Sequence, residues 1–262
     1  MKKVLLSITA FALVAGSMTF TSCKKGENDP AISFKSRKGR LAGEWTVASM
    51  DASGTSSQTN SGNTSSSTTT IVFDGTNYTE TETYSGGGSD INKRTYSDWS
   101  MTIEKDGTWS STQSYTTTEV DTNQWVDANN NAITTTTNTY TITEEGHWSF
   151  VGKDKAGEYK KKERIVVNTT SSNQSVTSNS STAIKVNGST STSTSTSTST
   201  DNTTYANGEN SEIWDLDMLK NKEITTLMES DYSYTSSTTS NGTTSTSSWS
   251  GTMSGTMTLT AK

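Results

Sequence analysis

The sequence predicts an all-β protein, an antiparallel up-and-down barrel of about 8–10 strands with long Ser/Thr-rich loops, with a β-sandwich as the alternative. Three observations carry this expectation. Ser and Thr make up 97 of the 262 residues, alongside nine Tyr and seven Trp; Thr, Tyr and Trp suit a pleated, half-buried surface. Only one proline occurs, Pro30, so the chain lacks the proline load of a disordered tract although just 28% of it is hydrophobic. A short motif also recurs in strand context. Residues 103–109 (IEKDGTW) and 142–148 (ITEEGHW) both read Ile-x-x-x-Gly-x-Trp, and Gly43-Glu44-Trp45 repeats its core.

In chain order, Lys2 and Lys3 open a segment whose residues 4–14 are apolar except for Ser7 and Thr9; Ala15, Gly16 and Ser17 follow, then Phe20-Thr21-Ser22-Cys23. The run is shorter than the ~20 apolar residues of a permanent span, so a cleaved export signal is expected. Cys23 is the only cysteine, which excludes an intramolecular disulfide. A free thiol, half of an intermolecular bridge and a membrane anchor remain open. The segment resembles a bacterial lipoprotein signal, whose lipobox places an apolar residue three before the cysteine and a small one just before it; Phe20 and Ser22 occupy those places. The resemblance implies removal of residues 1–22, lipidation of Cys23, and an anchor in the bacterial outer membrane, facing the periplasm or the exterior. A buried methylene contributes ~0.8 kcal/mol, and stable anchoring takes two or more chains, which a multiply acylated cysteine provides.

Residues 23–40 are polar and charged and read as a flexible tether; residues 41–262 read as the barrel domain. The first strand opens at Gly43-Glu44-Trp45. Residues 53–70, rich in Ser, Thr, Asn and Gly without apolar period, read as a loop. Ile71-Val72-Phe73 leads to Asp74-Gly75, and residues 78–84 alternate Thr with Tyr or Glu. Trp99, Met101 and Ile103 alternate up to Asp106-Gly107, and Trp109 leads a polar strand toward Tyr115. Trp125-Val126 marks a short strand, and residues 134–142 run Thr-rich to Glu145-Gly146. Both Gly107 and Gly146 are expected at hairpin turns, where glycine reaches positive φ without steric cost. Trp148 then alternates with Phe150. The run YKKKER (159–164) reads as the solvated start of strand Ile165-Val166-Val167. Residues 189–200 are a literal Ser-Thr repeat, read as a loop or as a strand of slippery register. Trp214, Leu216 and Met218 alternate with Asp215 and Asp217, a short turn follows at Lys220-Asn221-Lys222, and residues 224–228 and 249–260 supply the last strands.

A Gly-x-Trp on the first strand resembles the lipocalin superfamily. The stretches LAGEWTV, IEKDGTWS, EGHWSFVG, KKKERIVV and EIWDLDMLKNKEITTL are similar to bacterial lipocalin-like lipoproteins, loosely over residues 41–262, with Ser/Thr insertions added. The resemblance implies a barrel closed at one end by Trp, structural roles for Gly43, Trp45, Gly107, Trp109, Gly146 and Trp148, and a small or amphiphilic ligand. Taken singly, each of these Trp residues reads as a core aromatic.

The formal net charge of −6 opposes nucleic-acid binding, which rests on neutralising phosphates. His147 is the only histidine; with Cys23 lipidated, no zinc site of the usual Cys/His kind is expected, and no cofactor motif is present. The carboxylate pairs Glu80/Glu82 and Asp215/Asp217 could each share a strand face as a glycosidase pair would, but read better as solvent faces. A non-catalytic, membrane-anchored binding module is expected. The alternative is a surface adhesin or structural spacer acting through its Ser/Thr-rich loops.

Overall fold

A computed structural model describes residues 35–60, 63–124, 130–151, 163–240 and 243–262. The expected signal, Cys23, most of the tether, Trp125-Val126 and residues 159–162 lie outside these. No helix among the described residues is long and apolar enough to cross a membrane. Among the described residues, one short helix, α1 (Arg37–Leu41), precedes eleven strands: β1 (Gly43–Asn60), β2 (Asn63–Phe73), β3 (Asn77–Tyr84), β4 (Ser89–Ile103), β5 (Thr108–Gln124), β6 (Asn131–Phe150), β7 (Glu163–Val186), β8 (Ser189–Thr204), β9 (Asn210–Leu219), β10 (Glu223–Ser240) and β11 (Thr243–Ala261). All ladders are antiparallel. The order β6-β5-β4-β3-β2-β1-β11-β10-β9-β7 is closed by β6 on β7, giving a ten-stranded barrel, with β8 as an extra strand on β7. Closure decides for the barrel over the sandwich.

The ring is narrower at its base. There Gly43–Thr46 of β1 pairs directly with Ser100–Ile103 of β4, so eight strands suffice. Further along, the β2–β3 hairpin wedges between them, with Met50 facing Phe73 and Asn77 facing Thr95. Register shifts mark the insertion point on both flanks, between Val47 and Ser49 against β11 and between Tyr96 and Asp98 against β5. A bulge bends its strand and raises local twist, which lets β1 and β4 splay. The hairpin's inner turn is pinned by Asp74 Oδ1, which accepts the backbone N–H groups of Thr76 (2.9 Å) and Asn77 (2.7 Å). The Tyr96 N–H donates to the Thr76 carbonyl at 2.7 Å, tying that turn to the β4 bulge.

The core fills this narrow end. Leu41, Trp45, Ile165, Leu216, Leu219, Ile224 and Leu259 are all buried, none more than 1% exposed, each aliphatic chain contributing ~1.5–3 kcal/mol. Helix α1 plugs the ring. Ser36 caps it by accepting the Gly39 N–H at 3.0 Å, Arg40 is buried and donates to the Leu219 carbonyl at 2.5 Å, and Arg37 pairs with the buried Glu163. Residues 37–40 are therefore not tether. Their basic side chains find Glu163 and cover the rings of Phe150 and Trp148. Glu163 is likewise not a solvated strand start, because that plug covers it.

The expected loop 53–70 is strand in its described residues, and the Ser-Thr repeat, open between loop and strand, is strand as well. Residues 53–60 continue β1 and residues 63–70 begin β2, the two pairing in register. Hydroxyls bridge the ladders instead of apolar contacts: Ser56 with Ser67 at 2.8 Å, Thr59 with Thr64 at 2.9 Å and Ser57 with Ser250 at 3.0 Å. The Ser-Thr repeat forms β8, exposed along its whole length. Such strands have no apolar face to announce them, so a neighbour's free backbone edge decides.

Candidate ligand-binding cavity

The three Gly-x-Trp copies converge on the closed end, and each indole N–H donates to a backbone carbonyl. Trp45 donates to Leu41 at 2.8 Å, Trp109 to Asn168 at 3.0 Å and Trp148 to Glu104 at 2.9 Å. Gly107 sits in the expected turn, with φ of +101°. Gly146 does not: β6 runs straight through it. A Cβ there would lie 1.9 Å from the Asn168 carbonyl oxygen and 3.0 Å from Trp109 Nε1, so the glycine serves close approach of β7 and of the Trp109 indole.

Above this floor the barrel holds a cavity of about 580 Å³. Val47, Met101, Trp109 and Val167 line its base, Trp99, Trp214, Met228, Met253 and Met257 its sides. Trp99 belongs to an aromatic wall that crosses four strands. It stacks on Tyr96 (4.9 Å between centroids), Phe73 lies 5.2 Å from both, and Tyr96, Tyr115 and Tyr140 continue at 5.0 and 4.8 Å. Such ring pairs contribute ~0.5–1.5 kcal/mol beyond area burial, which makes this wall the stiffer one. Arg94 lies over the rings of Tyr78 (4.9 Å) and Tyr115 (5.3 Å).

The opposite wall is interrupted. Strand β7 is flanked by β9 along Glu163–Thr169 and by β8 along Ser171–Val186, end to end. Strand β9 reaches β10 only through Asp215–Leu219. Beyond that, no ladder among the described residues joins β8 or the start of β9 to β10. The cavity lining includes residues from both margins of this seam, Asn210, Glu212 and Ile213 on one and Leu227, Glu229 and Ser230 on the other. Glu212 and Ser230, on the inward parity of the two margins, are both exposed, so the cavity meets solvent there.

Two carboxylates of the lining stand on the parity of core residues. Glu144 shares its face of β6 with Gly146, and Glu212 shares its face of β9 with Trp214 and Leu216. Ser111 donates to Glu144 Oε2 at 3.3 Å, and Trp214 Nε1 donates to Glu212 Oε2 at 3.3 Å. Burial pushes the Glu144 carboxyl above the usual range; the Ser111 bond opposes this and the Glu212 charge adds to it. Among the described residues, no Lys, Arg or His lines the cavity.

The residues singled out from sequence fall into three groups. The Gly-x-Trp set builds the closed end, and Trp109 also floors the cavity. Asp215 stays on the outer face, paired with Arg164 at 3.2 Å, while Trp214 and Leu216 turn inward. The expectation for Glu80 and Glu82 is overturned: they share the inner face with Tyr78, and Glu82 accepts from buried Ser67 at 2.6 Å, because Tyr78 and Phe73 pair on that face. Tyr84 donates to Glu82 (3.1 Å) and Asp90 (2.8 Å), and these bonds push its phenol up to about 12. His147 is exposed on the outside of β6, and no group of His, Cys, Asp or Glu among the described residues is placed to hold a metal ion. Sequence reasoning passed over Glu144 and Glu212. Their signal was parity, each an acidic residue at an even spacing from an inward aromatic or glycine. Compared with family models, curated proteins and solved structures, the chain matches none.

Proposed function

We propose that this chain is a lipid-anchored, non-catalytic binding protein of the bacterial cell envelope that holds a small amphiphilic ligand inside its barrel. The observation that carries the reading is the cavity of about 580 Å³ with Trp and Met walls and a lateral opening. Small-molecule sites are concave, mostly apolar and ~300–1,000 Å³ in size, with a few placed polar groups. The Gly-x-Trp repeats and their resemblance to lipocalin-like lipoproteins support the same reading, and Cys23 in its lipobox-like setting supports the anchor.

Ligand binding is tested with the neutral fluorophore N-phenyl-1-naphthylamine on the full chain carrying Cys23→Ala. Its emission is expected to rise on binding and to fall back when Met253→Trp fills the cavity. No rise with either protein overturns the binding reading. The anchor is tested separately: Cys23→Ala is expected to move the protein from the membrane to the soluble fraction, and protease treatment of intact cells then tells an outward from a periplasmic face. A Cys23→Ala protein that stays in the membrane fraction overturns the anchor.

A further inference from the structure

Resting on that reading, the charge of the cavity narrows the ligand class. We propose that the barrel selects hydrophobic organic cations, taking an alkyl or aryl body between Trp99, Trp109 and Trp214 and an ammonium-type head at Glu144 and Glu212. Glu144 and Glu212 face a space walled by Trp, Met and Val with a few neutral polar residues, Glu229 adds a third acid at the seam, and among the described residues the lining carries no cationic side chain. Glu144 and Glu212 are each met by a neutral donor, the Ser111 hydroxyl and the Trp214 indole N–H. Arg94, which faces inward above, lies against the Tyr78 and Tyr115 rings. Glu144 is half-buried and Glu212 stands exposed at the seam; keeping Glu144 charged beside a weak neutral donor is costly, and a bound cation offsets that cost. Indole faces are electron-rich and attract ammonium groups, most strongly where water is excluded. A neutral amphiphile gains only the burial of its tail, and an anion meets two like charges.

The test uses one tail with three heads: octyltrimethylammonium, 1-octanol and octyl sulfate, each below its micellar concentration. Affinity for the full chain carrying Cys23→Ala is read by calorimetry and by Trp fluorescence. Octyltrimethylammonium is expected to bind at least about tenfold tighter than octanol, a difference of ~1.4 kcal/mol, and octyl sulfate more weakly than octanol. Replacing both acids (Glu144→Gln with Glu212→Gln) is expected to bring the cation to within about twofold of octanol without changing octanol binding. Equal affinity for cation and octanol in the wild type overturns the cation preference and leaves the cavity reading standing. Binding of none of the three overturns both. The wild-type series decides the matter whether or not the double variant folds.

Discussion

At Gly146 the ideal Cβ position lies 1.9 Å from the Asn168 carbonyl oxygen, a separation no side chain tolerates. Gly146→Ala must push β7 away from β6 and disturb the Trp109 bond to the same carbonyl. Overpacking of this kind costs ~1–3 kcal/mol, so the melting temperature is expected to fall by about 3–10 °C in a domain of this size, measured by circular dichroism. Glu144 makes a pH-dependent prediction. Its carboxyl is raised by burial first and by Glu212 second, so the folded chain keeps that proton to higher pH than the unfolded chain. The stability linked to it is complete below the unfolded value near 4.3 and is lost as pH rises through the folded value. Glu144→Gln is therefore expected to melt like the wild type near pH 4 and above it at pH 7–8; equal melting at both pH values would contradict the buried carboxylate. The tyrosines add a spectroscopic check. Tyr78, raised by burial and then by Glu80, and Tyr84, raised by its bonds to Asp90 and Glu82, are both pushed up to about 12. Ultraviolet titration is expected to show their phenols ionising late, and Tyr84→Phe to remove one of the late steps.

Among the elements, α1 and β8 stand at opposite ends of the stability range. The helix has only five residues, too few to hold itself, and it persists because Leu41 is fully buried, its carbonyl accepts the Trp45 indole and Arg40 reaches Leu219. Leu41→Ala is expected to cost ~2–5 kcal/mol and to lower the melting temperature by about 5–15 °C. Strand β8 has one ladder partner, β7, and every residue exposed. Local opening free energies fall where few apolar groups are buried, so its amides are expected to exchange with deuterium well before those of Ile165–Thr169 in β7, as mass spectrometry of exchanged peptides would show. The same contrast explains what was legible. Strands with an apolar parity, such as Trp99-x-Met101-x-Ile103 or Trp214-x-Leu216, can be read directly. The Ser/Thr stretches of β1, β2 and β8 have two polar faces, so nothing local separates them from loops.

For the molecule as a whole, the aromatic wall and the narrow ring are closed by continuous ladders, whereas β9 and β10 part at the seam. A ligand that occupies the cavity touches both margins and favours the folded barrel by mass action. Octyltrimethylammonium at about a hundred times its dissociation constant is expected to add ~2.7 kcal/mol, seen as a rise of about 5–10 °C in melting temperature.

The sequence by itself determined the fold class, the Asp106-Gly107 turn, and the identity of the Trp residues that seal the base. These depend on side-chain alternation and on turn chemistry within a few residues. Tertiary structure alone decided that Trp45 meets Ala261, that the β2–β3 hairpin widens eight strands to ten, that Gly146 lies mid-strand, and that β10 parts from β9. Each of these is a pairing between segments far apart in the chain. Backbone hydrogen bonds between strands are alike whatever residues they join, so they leave no local trace. Glu144 and Glu212 belong to both accounts: parity points them inward, but only closure of the barrel brings them to one cavity.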